Sequence, residues 1–184
     1  MSMRKTIEVI TKLAERGTFK SYALAGAVAA LNYIEPTLTQ DLDILISVAD
    51  FEKHKSGLIL LAPIEKALKE MGYADRSDVG FVIEGWPVQF LPVASPLDEE
   101  ALEKAIELEI DTDVGPLLKA RCLRAEHLVA IAIKVGRLKD LARVQAFLEQ
   151  KAVDLSVLKE ILLRHGLMDK WLSFCLKAGI ENPL

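Results

Sequence analysis

Asp41-Leu42-Asp43 stands at the mouth of the strongest strand signal in the chain, the alternating, β-branched run from Leu42 to Val48. Side chains two apart on a strand point to the same face, so both carboxylates project together. Held that close they repel, and one resists ionisation unless a cation or a base neutralises the pair. Magnesium is the natural remedy, a hard cation that prefers a few carboxylates together with water and phosphate oxygens. Such a pair suits metal-assisted phosphoryl transfer. The other reading is a solvated strand entrance with two surface aspartates, because an isolated Asp-x-Asp is common.

The flanking pattern sets the pair in a fold. Ile7, Ile10, Leu13 and Ala14 recur at helical spacing between Met3 and Arg16, and Gly17 stops that helix. Tyr22-Ala23-Leu24-Ala25 is a short apolar run that meets Gly26, and Ala27 to Tyr33 reads as a buried helix closed by Pro36. The local order is therefore strand, glycine turn, helix, and then Asp-x-Asp on the next strand. Backbone N–H groups at such a turn can cradle a phosphate. Asp50 to Met71 is helical with a break near Ser56-Gly57 and at Pro63. Phe81–Glu84 and Val88–Leu91 form a hairpin around Gly85-Trp86-Pro87, and Leu117 to Leu123 is a further strand.

From Ala125 onward the pattern is helical only, over Glu126–Val135, Lys139–Glu149, Leu155–Leu163 and Met168–Lys177. The expected class is α/β (α+β): a mixed-sheet lobe with a leading helix over residues 1–123, then a helical lobe over 124–184.

At 184 residues, 51% hydrophobic and 27% charged, the chain can bury its own core and is not disordered. Cys122 and Cys175 are too few for a disulfide framework and read as core thiols. No run of about 18 apolar residues exists, and the first residues lead into a mixed helix, not an apolar signal core; the expectation is a soluble, cytoplasmic protein without a membrane span. The net charge of −4 is unevenly spread. Asp98 to Asp113 holds eight acids against Lys104, whereas Leu117 to Gln145 holds seven bases against Glu126 and Asp140. That asymmetry permits a polyanion on one face, and equally two solvated faces of opposite sign. His54, His127 and His165 lack ligand spacing and read as capping or surface histidines. No aromatic platform interleaves with the bases.

Leu24-Ala25-Gly26-Ala27 followed by Glu35-Pro36-Thr37-Leu38-Thr39-Gln40-Asp41-Leu42-Asp43 resembles the signature of the DNA polymerase beta-type nucleotidyltransferase superfamily. The Glu-Pro-x-x-Thr-x-Asp-Leu-Asp run resembles its bacterial abortive-infection, AbiEii-like branch. So does Ala125-Glu126-His127-Leu128 through Lys134, with Gly136-Arg137-Leu138-Lys139-Asp140-Leu141 after it. The resemblance implies a nucleotide cleft between two lobes. Asp41 and Asp43 would hold Mg2+ (or Mn2+) with the phosphates of an NTP, and Gly26 and Ala27 would shape the phosphate turn. Lys139 and Asp140 would lie on the nucleotide or acceptor side with Arg137, and Lys134 would meet a phosphate or merely snorkel. In that branch the acceptor can be tRNA, and the enzyme can be a toxin with a cognate antitoxin.

Two positions depart from the pattern. Where the superfamily places a third carboxylate on a neighbouring strand, this chain has Gln89, which cannot act as a base or neutralise charge; Glu84, on the paired strand, is a candidate substitute. Where the branch carries an acid three after its Lys-Asp, Arg143 stands. An active nucleotidyltransferase, a nucleotide-binding module without turnover and a structural partner with a vestigial cleft are the readings to separate.

Overall fold

The structure is a computed structural model that describes residues 1–35, 39–47, 57–112 and 115–184, without the side chains of 57–60. Pro36, His54, Asp113 and the 50–56 part of the expected helix lie outside the described residues. The described chain runs α1 (Met3–Glu15), β1 (Ser21–Leu24), α2 (Gly26–Ala30), β2 (Leu42–Ser47), α3 (Gly57–Glu70), β3 (Phe81–Ile83), β4 (Trp86–Pro92), α4 (Pro96–Glu103), β5 (Ile106–Ile110), β6 (Leu118–Cys122), α5 (Ala125–Val135), α6 (Leu138–Glu149), α7 (Leu155–Arg164) and α8 (Met168–Ala178). The fold is mixed α/β, with one six-stranded sheet in the order β3-β4-β2-β1-β6-β5.

Local chemistry explains the boundaries. Ser2 caps α1 by accepting from the Lys5 amide, Ile7, Ile10 and Leu13 bury one face, and Gly17 ends the helix in the left-handed region at φ +70°. α2 is shorter than its apolar run suggests. Beyond Ala30 the chain tightens into turns, with the amides of Asn32 and Tyr33 bonding three residues back and Asn32 Nδ2 also donating to the Ala29 carbonyl. Four helices follow β6 as the periodicity predicts, and Gly136 closes α5 at φ +74°.

The hairpin differs from expectation in its turn. Glu84 (φ +51°) and Gly85 (φ +84°) are its two central residues, while Trp86 and Pro87 belong to β4. Two successive positive-φ residues give the turn that matches strand twist. Pro87 falls before β4 begins to pair with β2 at Val88, so its missing N–H leaves no rung open there.

The acidic stretch is structured, which its charge obscured. Ser95 caps α4, Pro96 opens it, and Asp98 and Glu99 occupy its first turn. β5 pairs antiparallel with β6, setting Glu107 opposite Arg121 and Glu109 opposite Lys119.

The buried residues form one continuous core, from Ile7 and Ile10 on α1 through Leu24, Ile44 and Phe90 on the sheet to Trp171 and Phe174 on α8. Cys122 and Cys175 are free thiols within it. Among the described residues no helix is long and apolar enough to cross a membrane.

One end of the sheet is set apart by topology. β1 runs antiparallel to β2 and parallel to β6, and β2 runs parallel to β4. The end of β1, the end of β6 and the beginnings of β2 and β4 therefore meet along a single edge, where α2 and α5 also start.

Candidate active site

At that edge lies a cavity of about 960 Å³. Its walls include Gly26, Ala27, Asp41, Asp43, Gln89, Lys134, Arg137, Lys139 and Asp140, together with Arg143. The residues assigned to the nucleotide site by resemblance thus line one space, though the described contacts divide them into different kinds.

Asp43 is fixed by β2. The Ala25 amide donates to its carbonyl at 2.9 Å, and Leu24 pairs with Ile44 beside it. Gly26, in the left-handed region at φ +58°, brings its backbone against the Asp43 side chain; a Cβ there would stand 2.9 Å from Asp43 Cγ. A glycine is required at this point on both counts. Asp41 precedes β2, and its Oδ1 accepts from Thr39 Oγ1 at 3.3 Å. The Asp43 carboxylate makes no hydrogen bond or ion pair among the described residues.

Burial first, and then the neighbouring Asp41, push the Asp43 pKa above the usual carboxylate value; Lys139, Arg137 and Arg143 pull it back. These two causes are the desolvation and like-charge effects expected of a carboxylate pair with too little counter-charge. The donor set is all oxygen, so the pair fits a hard divalent cation that would supply the missing charge.

Gln89 lies opposite Asp43 in the parallel β2–β4 register, so the two share a face. Glu84 does not take over as a third carboxylate. It sits in the hairpin turn, does not line the cavity, and accepts a 2.6 Å hydrogen bond from the Tyr73 hydroxyl.

The cationic side comes from the α5–α6 junction. Gly136 turns the chain, and Asp140, 3% exposed in the first turn of α6, gathers the guanidiniums. Arg137 donates to it through Nε at 2.6 Å and Nη2 at 3.2 Å, a two-pronged pairing, and Arg143 Nη1 stands 3.8 Å from its Oδ1. Asp140 is thus a neutralised carboxylate that positions two arginines. Lys139 is exposed and makes no ion pair among the described residues, although its charge reaches Asp43.

Lys134 is engaged elsewhere. Its Nζ donates to Ser95 Oγ at 2.5 Å and lies 3.4 Å from Asp98 Oδ1, tying α5 to the cap of α4. The sequence pattern gave no hint of this, because Ser95 and Asp98 are 39 and 36 residues away. Arg143 stands in the sequence both as one base of the Leu117–Gln145 stretch and in place of an acid; its i,i+3 spacing from Asp140 is the signal that it joins that carboxylate.

Of the described histidines, His165 stands at the C-cap of α7 as a capping residue does, whereas His127 departs from expectation. His127 is buried and His165 nearly so, and both reach Glu100, at 3.3 Å and 2.7 Å through their Nε2 atoms. Arg164 completes the group. It lies outside the cavity walls.

The fold these elements define is that of the nucleotidyltransferases. The chain is similar to the solution structure of the antibiotic-resistance factor ANT(2'')-Ia, with a TM-score of 0.50 at 14% identity over 97% of this chain and 99% of that one. A nucleotidyltransferase-like protein from Paracoccidioides brasiliensis aligns over 99% of this chain and 96% of its own, at 16% identity and a TM-score of 0.48. No protein-family model matches the sequence, and no curated protein does.

Proposed function

We propose that this chain transfers a nucleotidyl group from a nucleoside triphosphate to a hydroxyl acceptor, with Mg2+ or Mn2+ held by Asp41 and Asp43. One observation carries the reading: a half-buried carboxylate pair, with Asp43 short of counter-charge, lines the same cavity as Arg137, Lys139 and Arg143. When bound, the divalent cation neutralises phosphate oxygens and polarises the phosphoryl group. The chain's own residues do the rest. Gly26 and Ala27 leave room for the phosphates beside Asp43. Arg137 and Lys139 contact phosphate oxygens, with Asp140 as the positioning residue that orients the Arg137 fork. The cleft lies between an N-terminal lobe, residues 1–123, and a C-terminal helical lobe, residues 124–184.

The resemblance to the AbiEii-like branch extends the proposal to an RNA acceptor such as tRNA and to a cognate antitoxin, in a cytoplasmic setting. The basic stretch offers such an acceptor little free charge. Arg121 donates to the Leu102 and Glu103 carbonyls, Lys119 pairs with Glu107, Arg124 with Glu126, and Lys134, Arg137 and Arg143 are held as described. Lys139 is the base of that stretch without such a partner among the described residues. A second reading, nucleotide binding without transfer, is favoured by Gln89 beside Asp43.

Thermal unfolding with each of the four NTPs, with and without Mg2+, tests the proposal on wild type and Asp43→Asn. A ligand at about 100 times its Kd adds about 2.7 kcal/mol, which moves the midpoint by roughly 5–10 °C. The expected shift needs Mg2+ and disappears in Asp43→Asn. No shift with any nucleotide, or an equal shift in the variant, sinks the reading. A shift without nucleotidylated product from any hydroxyl acceptor selects the second one.

A further inference from the structure

We infer that the cavity is built to hold a single divalent cation, and that Gln89 and Arg143 together fix that number. The inference rests on the nucleotidyl-transfer reading for the nucleotide that shares the site, while the ion count belongs to the chain's own donors.

Charge is the first ground. Asp41 and Asp43 supply two negative charges, enough to match one divalent ion. The next donor on the same face is Gln89, which offers an uncharged amide oxygen. Among the described residues, no group of three His, Cys, Asp or Glu side chains could hold a metal. The other acids lining the cavity are Asp78, Asp98 and Asp140. Asp140 is taken by Arg137 and Arg143. Asp98 accepts from the Ala94 amide and the Ser95 hydroxyl and pairs with Lys134. Asp78 is exposed, in the turn that precedes β3. A second ion would find no buried carboxylate to spare.

Arg143 is the second ground. Its side chain is 16% exposed, so this guanidinium is a fixture of the wall and not a solvated arm. It is always charged, and its field acts on Asp43. A fixed positive charge lining the same cavity as the carboxylate pair opposes a second divalent ion and offers a phosphate oxygen the counter-charge such an ion would bring. Gln89 and Arg143 therefore push in the same direction, each making the site less negative than a carboxylate would.

Mn2+ titration of the full chain, followed by paramagnetic resonance, counts the ions, first alone and then with the α,β-methylene analogue of each of the four NTPs, whose α–β bridge resists transfer. One Mn2+ per chain, with and without an analogue, is expected. Gln89→Asp, which sets a third carboxylate beside Asp43, is expected to raise the count to two or to tighten the second ion at least tenfold. Two ions on wild type overturn the inference, as does no ion at all. A count that stays at one in folded Gln89→Asp overturns the role given to Gln89; should that variant not fold, the wild-type count decides alone. If none of the four analogues binds while one Mn2+ does, the nucleotidyl-transfer reading is defeated and the ion count stands.

Discussion

Two clusters of charge in this protein are treated in opposite ways. At the junction of α4, α5 and α7, a single carboxylate, Glu100, is surrounded by Arg164, His165 and His127. Burial pushes its pKa up, and those hydrogen bonds more than reverse that, bringing it down to about 2. At the mouth of β2, two carboxylates sit side by side, and Asp43 is left with its pKa raised. The first cluster is saturated and holds three helices together. The second is under-neutralised, which destabilises the fold and suits a ligand. Perturbed carboxylates of the second kind concentrate at functional sites. The sign of the shift separates scaffold from site here.

The largest expected effect on stability follows from that contrast. Glu100→Ala removes the shared acceptor of three donors and leaves buried His127 with none, costing about 2–3 kcal/mol and lowering Tm by roughly 5–10 °C. Without ligand, Asp43→Asn does the reverse: it removes one of two repelling charges from a partly buried position, so Tm at pH 7 holds or rises. Scanning calorimetry on both variants checks the pair of outcomes. A drop for Asp43→Asn comparable to that for Glu100→Ala would erase the distinction.

Much of the site was legible because its residues are local or periodic. Gly26 and Asp41-Leu42-Asp43 lie on adjoining elements, and the helical spacing after Ala125 places Arg137 to Asp140 at a helix start. Gln89 was identified from its place between Val88 and Phe90, and it lies opposite Asp43 in the β2–β4 register. What sequence could not reveal is pairing across long separations. Nothing local predicts that Glu100 meets His165, 65 residues on, or that Lys134 is captured by Ser95. Net charge misled for the same reason. The acidic stretch looked like a solvated face, yet Ser95-Pro96 capping and the Ile106-Glu107-Leu108-Glu109-Ile110 alternation already encoded α4 and β5. Glu107 meets Lys119 and Asp98 meets Lys134 across the two stretches, and counts along a chain do not register that.

Lys134→Met sharpens the comparison on a smaller scale. Lys134 lines the cavity, so a phosphate contact and a structural tie are both within its reach. Its bonds to Ser95 and Asp98 place it with the saturated class, although its side chain is 36% exposed. Methionine keeps the apolar stem, and Asp98 retains Ser95 and the Ala94 amide. The expected loss is about 1 kcal/mol of stability with the nucleotide-induced shift retained. If the shift vanishes while the fold holds, Lys134 belongs to the site.

The smallest effect concerns His127, the one member of the Glu100 cluster with an unmet need: its buried Nδ1 has no partner among the described residues. Burial is the main influence and pushes its pKa down. Glu100 and Glu126 raise it by less, and Arg124 lowers it further. The folded protein therefore binds this proton less readily than the unfolded chain, whose histidines titrate near 6.5. Stability from this source is complete above about pH 6.5 and is lost as pH falls below it. Glu100 does not confound the window, since its own contribution fades only below its ordinary value of 4.5, toward about 2. Asp43 works the other way, because its raised pKa lends stability as it protonates, so the measurement belongs in the Asp43→Asn background. There, Tm is expected to fall more between pH 6.5 and about 5.5 than in the same background carrying His127→Gln, whose amide donates to Glu100 without titrating. Parallel curves would show that His127 is as easily protonated in the folded chain as in the unfolded one. Glu100 would then form an ordinary ion pair with it, and the Glu100 cluster would owe its strength to charge on His127 where burial now argues for a neutral ring.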